Sequence, residues 1–328
     1  MIIDNHGRQI NYVRLAVTDR CNLRCFYCMP DEGIDFVSRD ELLTYEEMLR
    51  LARLLASEGI NKIRITGGEP FVRKNMDQFI LNLSQVKGID TIRITTNGTV
   101  TAAYIPVLQQ AGIDTINLSL DTLDKERFYK ITRRDVFDKV INCLHQLIDN
   151  GFKVKINMVV MSGLNHQDII PMARLAEQHP VSVRFIEEMP FNGDGRLPDT
   201  TWNYRQIEQH LLETFPSLEK KPYKPASTTY DYSVTGFKGD LGIIAAYSRT
   251  FCGTCNRIRV TPQGMLKTCL YDNGVFDLKA LMRNGANDED LVVAIKSACS
   301  NRAKDGFEAE RANFSSGRSL SSMTSIGG

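Results

Sequence analysis

The chain has 328 residues, 42% of them hydrophobic, and its 40 Lys and Arg nearly cancel 39 Asp and Glu, leaving a net charge of +1. That is enough apolar material for one large core plus an appendage, and too little net charge to support a nucleic-acid or membrane-surface partner. No apolar run approaches the roughly 18 residues of a membrane helix, and Met1 to His6 shows no charged-then-apolar secretory pattern.

The first predicted strand, Tyr12–Thr18, runs almost directly into Cys21-x3-Cys25-x2-Cys28. Three thiolates on one tight loop can hold three irons of a four-iron cluster and leave the fourth open to a small molecule, whereas electron carriers close the cluster with a fourth Cys. The alternative is a zinc loop, but structural zinc takes four ligands, usually as C-x2-4-C pairs. Thr44–Glu58 carries Met48, Leu51, Leu54 and Leu55 at helical spacing. The strand Lys62–Thr66 then ends in Gly67-Gly68-Glu69-Pro70, where two glycines let a ligand approach bare backbone and Glu69 offers a carboxylate. Further strands are expected at Thr91–Thr95, Thr115–Ser119, Val154–Val160 and Val183–Glu187, with helices at Val136–Asn150 and Asp168–Gln178. Gly59, Gly88, Gly112 and Gly151 sit where helix C-caps belong. Strand–helix alternation implies parallel βαβ units. Six units do not close the usual eight-stranded barrel, so the α/β fold expected is an incomplete, three-quarter TIM-like barrel with an open side.

After Pro190 the alternation stops, and a second region over 190–328 is expected to cover the opening left by residues 1–189. It carries a second triad, Cys252-x2-Cys255-x13-Cys269. Structural zinc is an open reading there, although all five His lie at or before His210, so a fourth ligand would have to be Cys299 or a carboxylate. Arg257 and Arg259 follow at i, i+2, one face of a strand, and two guanidiniums beside thiolates point to an anionic ligand. Cys143 and Cys299 read as buried free thiols; eight Cys gathered mostly into triads suit a reducing cytosol, hence a cytoplasmic protein. The tail is Ser-rich, but Met323 and Ile326 are apolar anchors in it. Gly327 and Gly328 present bare backbone that can thread a narrow channel.

The stretch Leu15 to Pro30 resembles the cluster loop of radical S-adenosylmethionine (SAM) enzymes, and within that superfamily the GTP 3′,8-cyclase family of molybdenum cofactor biosynthesis. Phe251 to Arg259 resembles the second cluster site of that family and Met323 to Gly328 its tail, so the likeness runs from about residue 10 to the last. The resemblance implies a radical SAM partial barrel with two [4Fe-4S] clusters, one on each Cys triad. It implies SAM contacts from Tyr27, Gly67, Gly68, Glu69, Ser119 and Met189. GTP contacts are implied for Arg14, Arg64, Thr95, Lys155, Arg257, Ile258 and Arg259, and a catalytic place for Gly327 and Gly328. Read singly, Met189 would be core, Ser119 a helix cap, and Arg14 and Arg64 solvated strand residues. The segment before Lys155 is one residue short of the family pattern, so Lys153, on the same strand face, stays open beside it; Lys155 is favoured because it opens Lys-Ile-Asn.

The activity so implied is that of a lyase. A 5′-deoxyadenosyl radical from SAM abstracts H3′ of GTP, and attack on C8 gives (8S)-3′,8-cyclo-7,8-dihydroguanosine 5′-triphosphate, the first step toward molybdopterin. The implied partners are a cyclic pyranopterin monophosphate synthase downstream and a reductant such as flavodoxin or ferredoxin, with a homodimer left open. Two other readings remain: a radical SAM enzyme that modifies peptides with an auxiliary cluster, and a non-catalytic iron–sulfur electron carrier.

Overall fold

The computed structural model describes residues 1–193, 195–315 and 322–327, the side chains of Phe314 and Ser315 excepted. A short antiparallel hairpin, β1 (Ile2–Ile3) and β2 (Gln9–Ile10), comes first. Six strand–helix units follow. They are β3 (Tyr12–Ala16) with α1 (Tyr45–Ser57), β4 (Lys62–Thr66) with α2 (Met76–Ser84), and β5 (Thr91–Thr96) with α3 (Ile105–Gln110). Next come β6 (Thr115–Ser119) with α4 (Lys125–Thr132) and α5 (Phe137–Asp149), β7 (Lys153–Val160) with α6 (Ile169–Gln178), and β8 (Ser182–Glu187) with α7 (Tyr204–Thr214). The rest holds β9 (Leu218–Lys220), β10 (Tyr230–Val234), β11 (Asp240–Ile244), β12 (Arg257–Val260), β13 (Met265–Lys267) and β14 (Phe276–Asp277). Four helices close the chain: α8 (Leu278–Arg283), α9 (Asp288–Ser300), α10 (Gly306–Ser315) and α11 (Met323–Ile326).

Local chemistry sets these limits. At the start of α1 the Thr44 hydroxyl accepts from Glu47 N, and Glu47 accepts from Thr44 N at 2.7 Å, a reciprocal cap. Such a cap contributes on the order of 1 kcal/mol, and α1 then buries Met48, Leu51, Leu54 and Leu55 against the sheet. It ends before Gly59, whose φ of +92° suits glycine, as do the positive φ angles of Gly88, Gly112 and Gly151.

The six predicted strands exist and lie in chain order, β3-β4-β5-β6-β7-β8, all parallel. The later region was expected to lie across the opening; it extends the sheet itself. It adds one parallel strand at each edge, β12 beside β3 and β11 beside β8, with antiparallel β13-β14 and β10-β9 outside them. The twelve-stranded sheet stays open, because β14 and β9 have no ladder between them among the described residues.

Along each barrel strand the residues alternate. Val13, Leu15, Ile63, Ile65, Ile94, Ile116, Leu118, Val154, Ile156, Val183 and Phe185 are buried in the main core. Parallel sheets usually bury apolar residues on both faces. Here the positions between them carry Arg14, Arg64, Arg93, Asn117, Lys155 and Arg184. One wall is a packed core and the other is polar.

Candidate active site

One cavity of about 280 Å³ lies inside the open barrel, and the thiols of both triads line it. The first triad follows β3. Its loop is pinned to the end of α4, with Arg24 N donating to Thr132 O at 2.9 Å and Phe26 N to Ile131 O at 3.2 Å. Within the loop Cys28 N donates to Cys25 O at 2.9 Å, a tight turn that keeps the sulfurs on one side. Burial raises all three thiols, Cys21 to about 11, with the Glu69 carboxylate adding to the rise at Cys21. Left as thiols they are neutral and half-buried; a bound metal would supply the charge that deprotonates them. Among the described residues no three His, Cys, Asp or Glu side chains are arranged to hold a single metal ion. A donor set of three thiols per loop suits iron–sulfur chemistry.

Gly67 and Gly68 serve a purpose the sequence reading did not assign them. A Cβ on Gly68 would lie 2.3 Å from Arg20 O, and one on Gly67, at φ +147°, would lie 2.5 Å from Thr18 O. The glycines let the turn lie flat on the thiol loop, where Gly68 N donates to Thr18 O and Glu69 N to Arg20 O, both at 2.8 Å. Glu69 is not among the residues that line the cavity. Its fully buried carboxylate accepts from Thr96 Oγ1 at 2.8 Å, Asn97 N at 2.7 Å and Phe71 N at 3.2 Å. Burial pushes it up to about 7 against those bonds. Glu69 therefore ties the turn after β4 to the end of β5. Gly67, Gly68, Tyr27, Ser119 and Met189 all line the cavity. The Tyr27 hydroxyl donates to Asp121 at 2.8 Å, and burial raises Asp121 to about 6.

The second triad enters from the other end of the strands. Because β12 runs parallel to β3, Cys255, just before β12, and Cys21, just after β3, fall at opposite ends of the parallel set. Cys269 joins Cys255, since β13 runs antiparallel to β12 and returns the chain to that end. Burial raises Cys252 and lifts Cys269 to about 11. Cys255 is different: burial opposes ionisation, yet the guanidiniums of Arg257 and Arg302 bring it down to about 6.

Between the triads lies a cationic layer. Register places Arg259, Arg14, Arg64 and Arg93 side by side on β12, β3, β4 and β5. Lys155 and Arg184 stand on β7 and β8, and Arg257 lies opposite Tyr12. Like charges directly opposite on a sheet destabilise it. Burial and mutual repulsion push Arg14 and Arg64 down to about 10 and Lys155 to about 7. Among the described residues none of these cations forms an ion pair with a carboxylate. The Nε atoms of Arg14, Arg64, Arg93 and Arg184 are buried without a hydrogen-bond partner there. Lys153 is spent elsewhere, donating to Asp114 at 2.7 Å on the surface. Of the two lysines, Lys155 is the one that Arg184, Arg93 and Arg64 repel, although its side chain does not line the cavity.

Thr95 lines the cavity, whereas the side chain of Ile258 belongs to the core on the other face of β12. The tail reaches the site. Ile326 packs with Phe191, Tyr271 and Ala309, Met323 N donates to Phe191 O at 2.8 Å, and the Ser322 hydroxyl donates to Cys28 O. Arg259 Nη1 donates to Gly327 O at 2.6 Å, and Gly327 sits so close to Ala16 and Thr66 that a Cβ would be 2.6 Å from Ala16 Cβ. Gly328 lies outside the described residues.

Sequence reasoning passed over Arg93 and Arg184 although a signal exists. Val13-Arg14-Leu15, Ile63-Arg64-Ile65, Ile92-Arg93-Ile94, Val154-Lys155-Ile156, Val183-Arg184-Phe185 and Ile258-Arg259-Val260 repeat one apolar–basic–apolar triplet. Six strands thus put a cation on the barrel's inner face. Arg302, which also lines the cavity, follows α9 with no such pattern to announce it.

An open parallel barrel with a three-thiol loop after its first strand is the architecture of the radical SAM superfamily, whose model matches residues 15–176; a molybdenum cofactor synthesis C-terminal model matches 181–307. The GTP 3′,8-cyclase of Syntrophomonas wolfei is 43% identical over 88% of this chain and 90% of its own length. The mitochondrial GTP 3′,8-cyclase of Arabidopsis thaliana is 39% identical, over 91% of this chain and 77% of that one. The chain therefore belongs to the GTP 3′,8-cyclase family of the radical SAM superfamily. Molybdenum cofactor biosynthesis protein 1 of Bos taurus is 44% identical over 90% of this chain, which spans 47% of that protein's length. Among solved structures, Streptococcus suis SuiB bound to its precursor peptide SuiA superposes with a TM-score of 0.65 over 93% of this chain and 72% of SuiB. At 15% identity that likeness concerns the fold. Superfamily membership carries SAM and one four-iron cluster as cofactors. No helix among the described residues is long and apolar enough to cross a membrane.

Proposed function

We propose that the chain is a radical SAM GTP 3′,8-cyclase, a lyase that converts GTP to (8S)-3′,8-cyclo-7,8-dihydroguanosine 5′-triphosphate as the first step of molybdenum cofactor biosynthesis. The observation that carries the reading is the set of Arg14, Arg64, Arg184, Arg257 and Arg259, none in an ion pair among the described residues, lining one cavity with both thiol triads. Residues 1–189 would supply the barrel and the first [4Fe-4S] cluster on Cys21, Cys25 and Cys28. Residues 190–328 would supply a second cluster on Cys252, Cys255 and Cys269, together with the tail. When bound, the first cluster and SAM provide a carbon-centred radical strong enough to take hydrogen from a sugar carbon.

This chain's own residues hold and orient. Tyr27, Gly67, Gly68, Ser119 and Met189 form the wall for SAM, and Glu69 acts behind it by fixing the turn. Arg14, Arg64, Lys155, Arg257 and Arg259 bind the triphosphate, with Arg93 and Arg184 completing the layer and Thr95 beside it. Fork-shaped guanidiniums match phosphate geometry, and an anion relieves their mutual repulsion. Gly327, brought in by Ile326 and gripped by Arg259, narrows the site and helps exclude water. Positioning of this kind matters because a misplacement of about 1 Å costs on the order of 10²-fold in rate. A reductant such as flavodoxin or ferredoxin and a downstream cyclic pyranopterin monophosphate synthase are the functional partners, and eight free thiols suit the cytoplasm.

The test is anaerobic reconstitution with iron and sulfide, then GTP, SAM and reductant, with products read by mass. Cyclised triphosphate with stoichiometric methionine and 5′-deoxyadenosine is expected. SAM cleavage with no change in GTP would leave a radical SAM enzyme acting on another substrate.

A further inference from the structure

The N-terminal hairpin reaches the second triad through two buried charges. Arg302 is 4% exposed and Asp4 is 5% exposed. Arg302 Nη2 donates to Cys255 Sγ at 3.0 Å and to Arg257 O at 3.0 Å. Its Nη1 donates to Cys255 O at 2.9 Å and to Asp4 Oδ2 at 3.3 Å. Asp4 is itself fixed by Arg8 Nε at 2.6 Å and by the backbone N–H groups of His6 and Arg8. Arg8 continues the brace, donating through Nη1 to Cys252 O at 2.9 Å and Lys304 O at 2.7 Å. Cys252 and Cys269 are approached by backbone N–H groups, of Gly306 and Tyr271. Among the described residues, Cys255 alone of this triad has guanidiniums hydrogen-bonded to its sulfur, from Arg302 and, at 3.3 Å, from Arg257.

We propose that Arg302, oriented by Asp4, is a tuning residue of the C-terminal iron–sulfur cluster, acting through its hydrogen bond to Cys255 Sγ. The inference rests on the reading of the second triad as a cluster site. An electron entering such a cluster spreads onto its thiolates, so an N–H donor and a positive charge at one sulfur favour the reduced state and raise the potential. Arg257 adds to this but faces the cavity, where substrate claims it. Arg302 also borders the cavity, but its four hydrogen bonds all go to Asp4, Cys255 and Arg257 of the protein itself, so its bond to sulfur does not depend on substrate. The arrangement matches the carboxylate–histidine–metal relays that orient ligands elsewhere, with the guanidinium in the central place of the imidazole and the Cys255 sulfur as its target. It also gives the hairpin a purpose, since among the described residues β1 and β2 pair only with each other.

The test uses the full-length chain with Cys21, Cys25 and Cys28 replaced by Ala, so that iron reports the second triad alone. Redox titration followed by electron paramagnetic resonance compares the parent with Arg302→Met, Arg302→Lys and Asp4→Asn. At the potential where the parent is half reduced, Arg302→Met should lower the reduced-to-oxidised ratio at least tenfold, about 59 mV for one electron. Arg302→Lys keeps the charge with a poorer donor geometry and should fall between. Asp4→Asn should shift the ratio in the same direction by less. If Arg302→Met fails to hold iron, the other two variants carry the comparison. Ratios within twofold of the parent in every iron-loaded variant would overturn the role of Arg302 alone. Stoichiometric zinc with no reducible signal would overturn the cluster reading and this proposal with it.

Discussion

Arg64 is 9% exposed on β4, in register between Arg14 and Arg93, with its Nε buried and unpartnered. Burial first, then repulsion from Arg184, Arg93 and Arg257, pushes its guanidinium down to about 10, against an ordinary value above about 12. At about 1.4 kcal/mol per pH unit, keeping Arg64 charged costs the folded chain on the order of 3 kcal/mol. The sign follows from proton affinity: the folded state holds this proton less tightly than the unfolded state. Below pH ~10 both states are charged and the full cost is present; it is relieved only as pH rises through that value.

Arg64→Met keeps the bulk and removes the charge. It should stabilise the ligand-free chain by about 1–3 kcal/mol, less than the full cost because the methionine gives up the guanidinium's contact with the Tyr12 ring. At roughly 2–4 °C per kcal/mol for a chain of this size, Tm should rise by several degrees. The same change removes a charge-assisted bond of about 1.5–3 kcal/mol to phosphate, so GTP should bind at least tenfold more weakly. The assay is thermal unfolding of the reconstituted protein in phosphate-free buffer, with and without GTP. Wild-type protein should start lower and gain more from GTP; Arg64→Met should start higher and gain little. A drop in ligand-free Tm with an undiminished GTP increment would mean that Arg64 is structural and the anion sits elsewhere.

Reconstituted protein should hold about eight irons per chain, four on each triad, and replacing Cys21, Cys25 and Cys28 together should halve that; a stoichiometric zinc on the second triad would contradict it. Gly68→Ala puts a Cβ 2.3 Å from Arg20 O and should push the turn off the thiol loop. Iron should then fall toward half with unchanged circular dichroism, and full iron loading would show that the loop accommodates the methyl group. Deleting Gly327 and Gly328 removes the carbonyl that Arg259 grips and should cut product formation by on the order of 10²-fold. GTP binding and iron content should stay near wild type, and equal rates at matched iron loading would make the tail end a bystander.

The six barrel strands were legible because each is a short run with β-branched residues, and the runs alternate with segments of helical spacing. The first thiol triad was legible from its spacing and flanks together, whereas the spacing of the second left zinc open and only the resemblance pointed to a cluster. The strands that extend the sheet were not. β11 reads Asp-Leu-Gly-Ile-Ile, and its Gly242 is needed because a Cβ there would lie 2.5 Å from Thr229 Cγ2. That requirement exists only once β10 and β11 have paired. Glu69 looked like a ligand because a carboxylate in a glycine turn often is one. Whether it faces the cavity depends on Thr96 and Asn97, which arrive one strand later. Arg302 was invisible because its partners, Asp4 and Cys255, are 298 and 47 residues away.

The parallel pairing of β12 with β3 has the largest consequence for function. Had β12 joined antiparallel, Cys255 would have fallen at the same end of the sheet as Cys21, and the two triads would have crowded together. In the observed register Arg257 lies opposite Tyr12 and Arg259 opposite Arg14, so Cys255 sits below the level where β3 begins and Cys21 beyond Ala16, where it ends. Four residue steps from Tyr12 to Ala16, at about 3.3 Å each, set a separation of at least about 13 Å along the strands. That interval is filled by the layer of Arg14, Arg64, Arg93 and Arg259. A ligand in contact with both triads must be elongated, and one that satisfies the layer must carry its negative charge partway along. A nucleoside triphosphate, the ligand we propose, meets both demands, and the direction of one four-residue strand sets the interval that it would span.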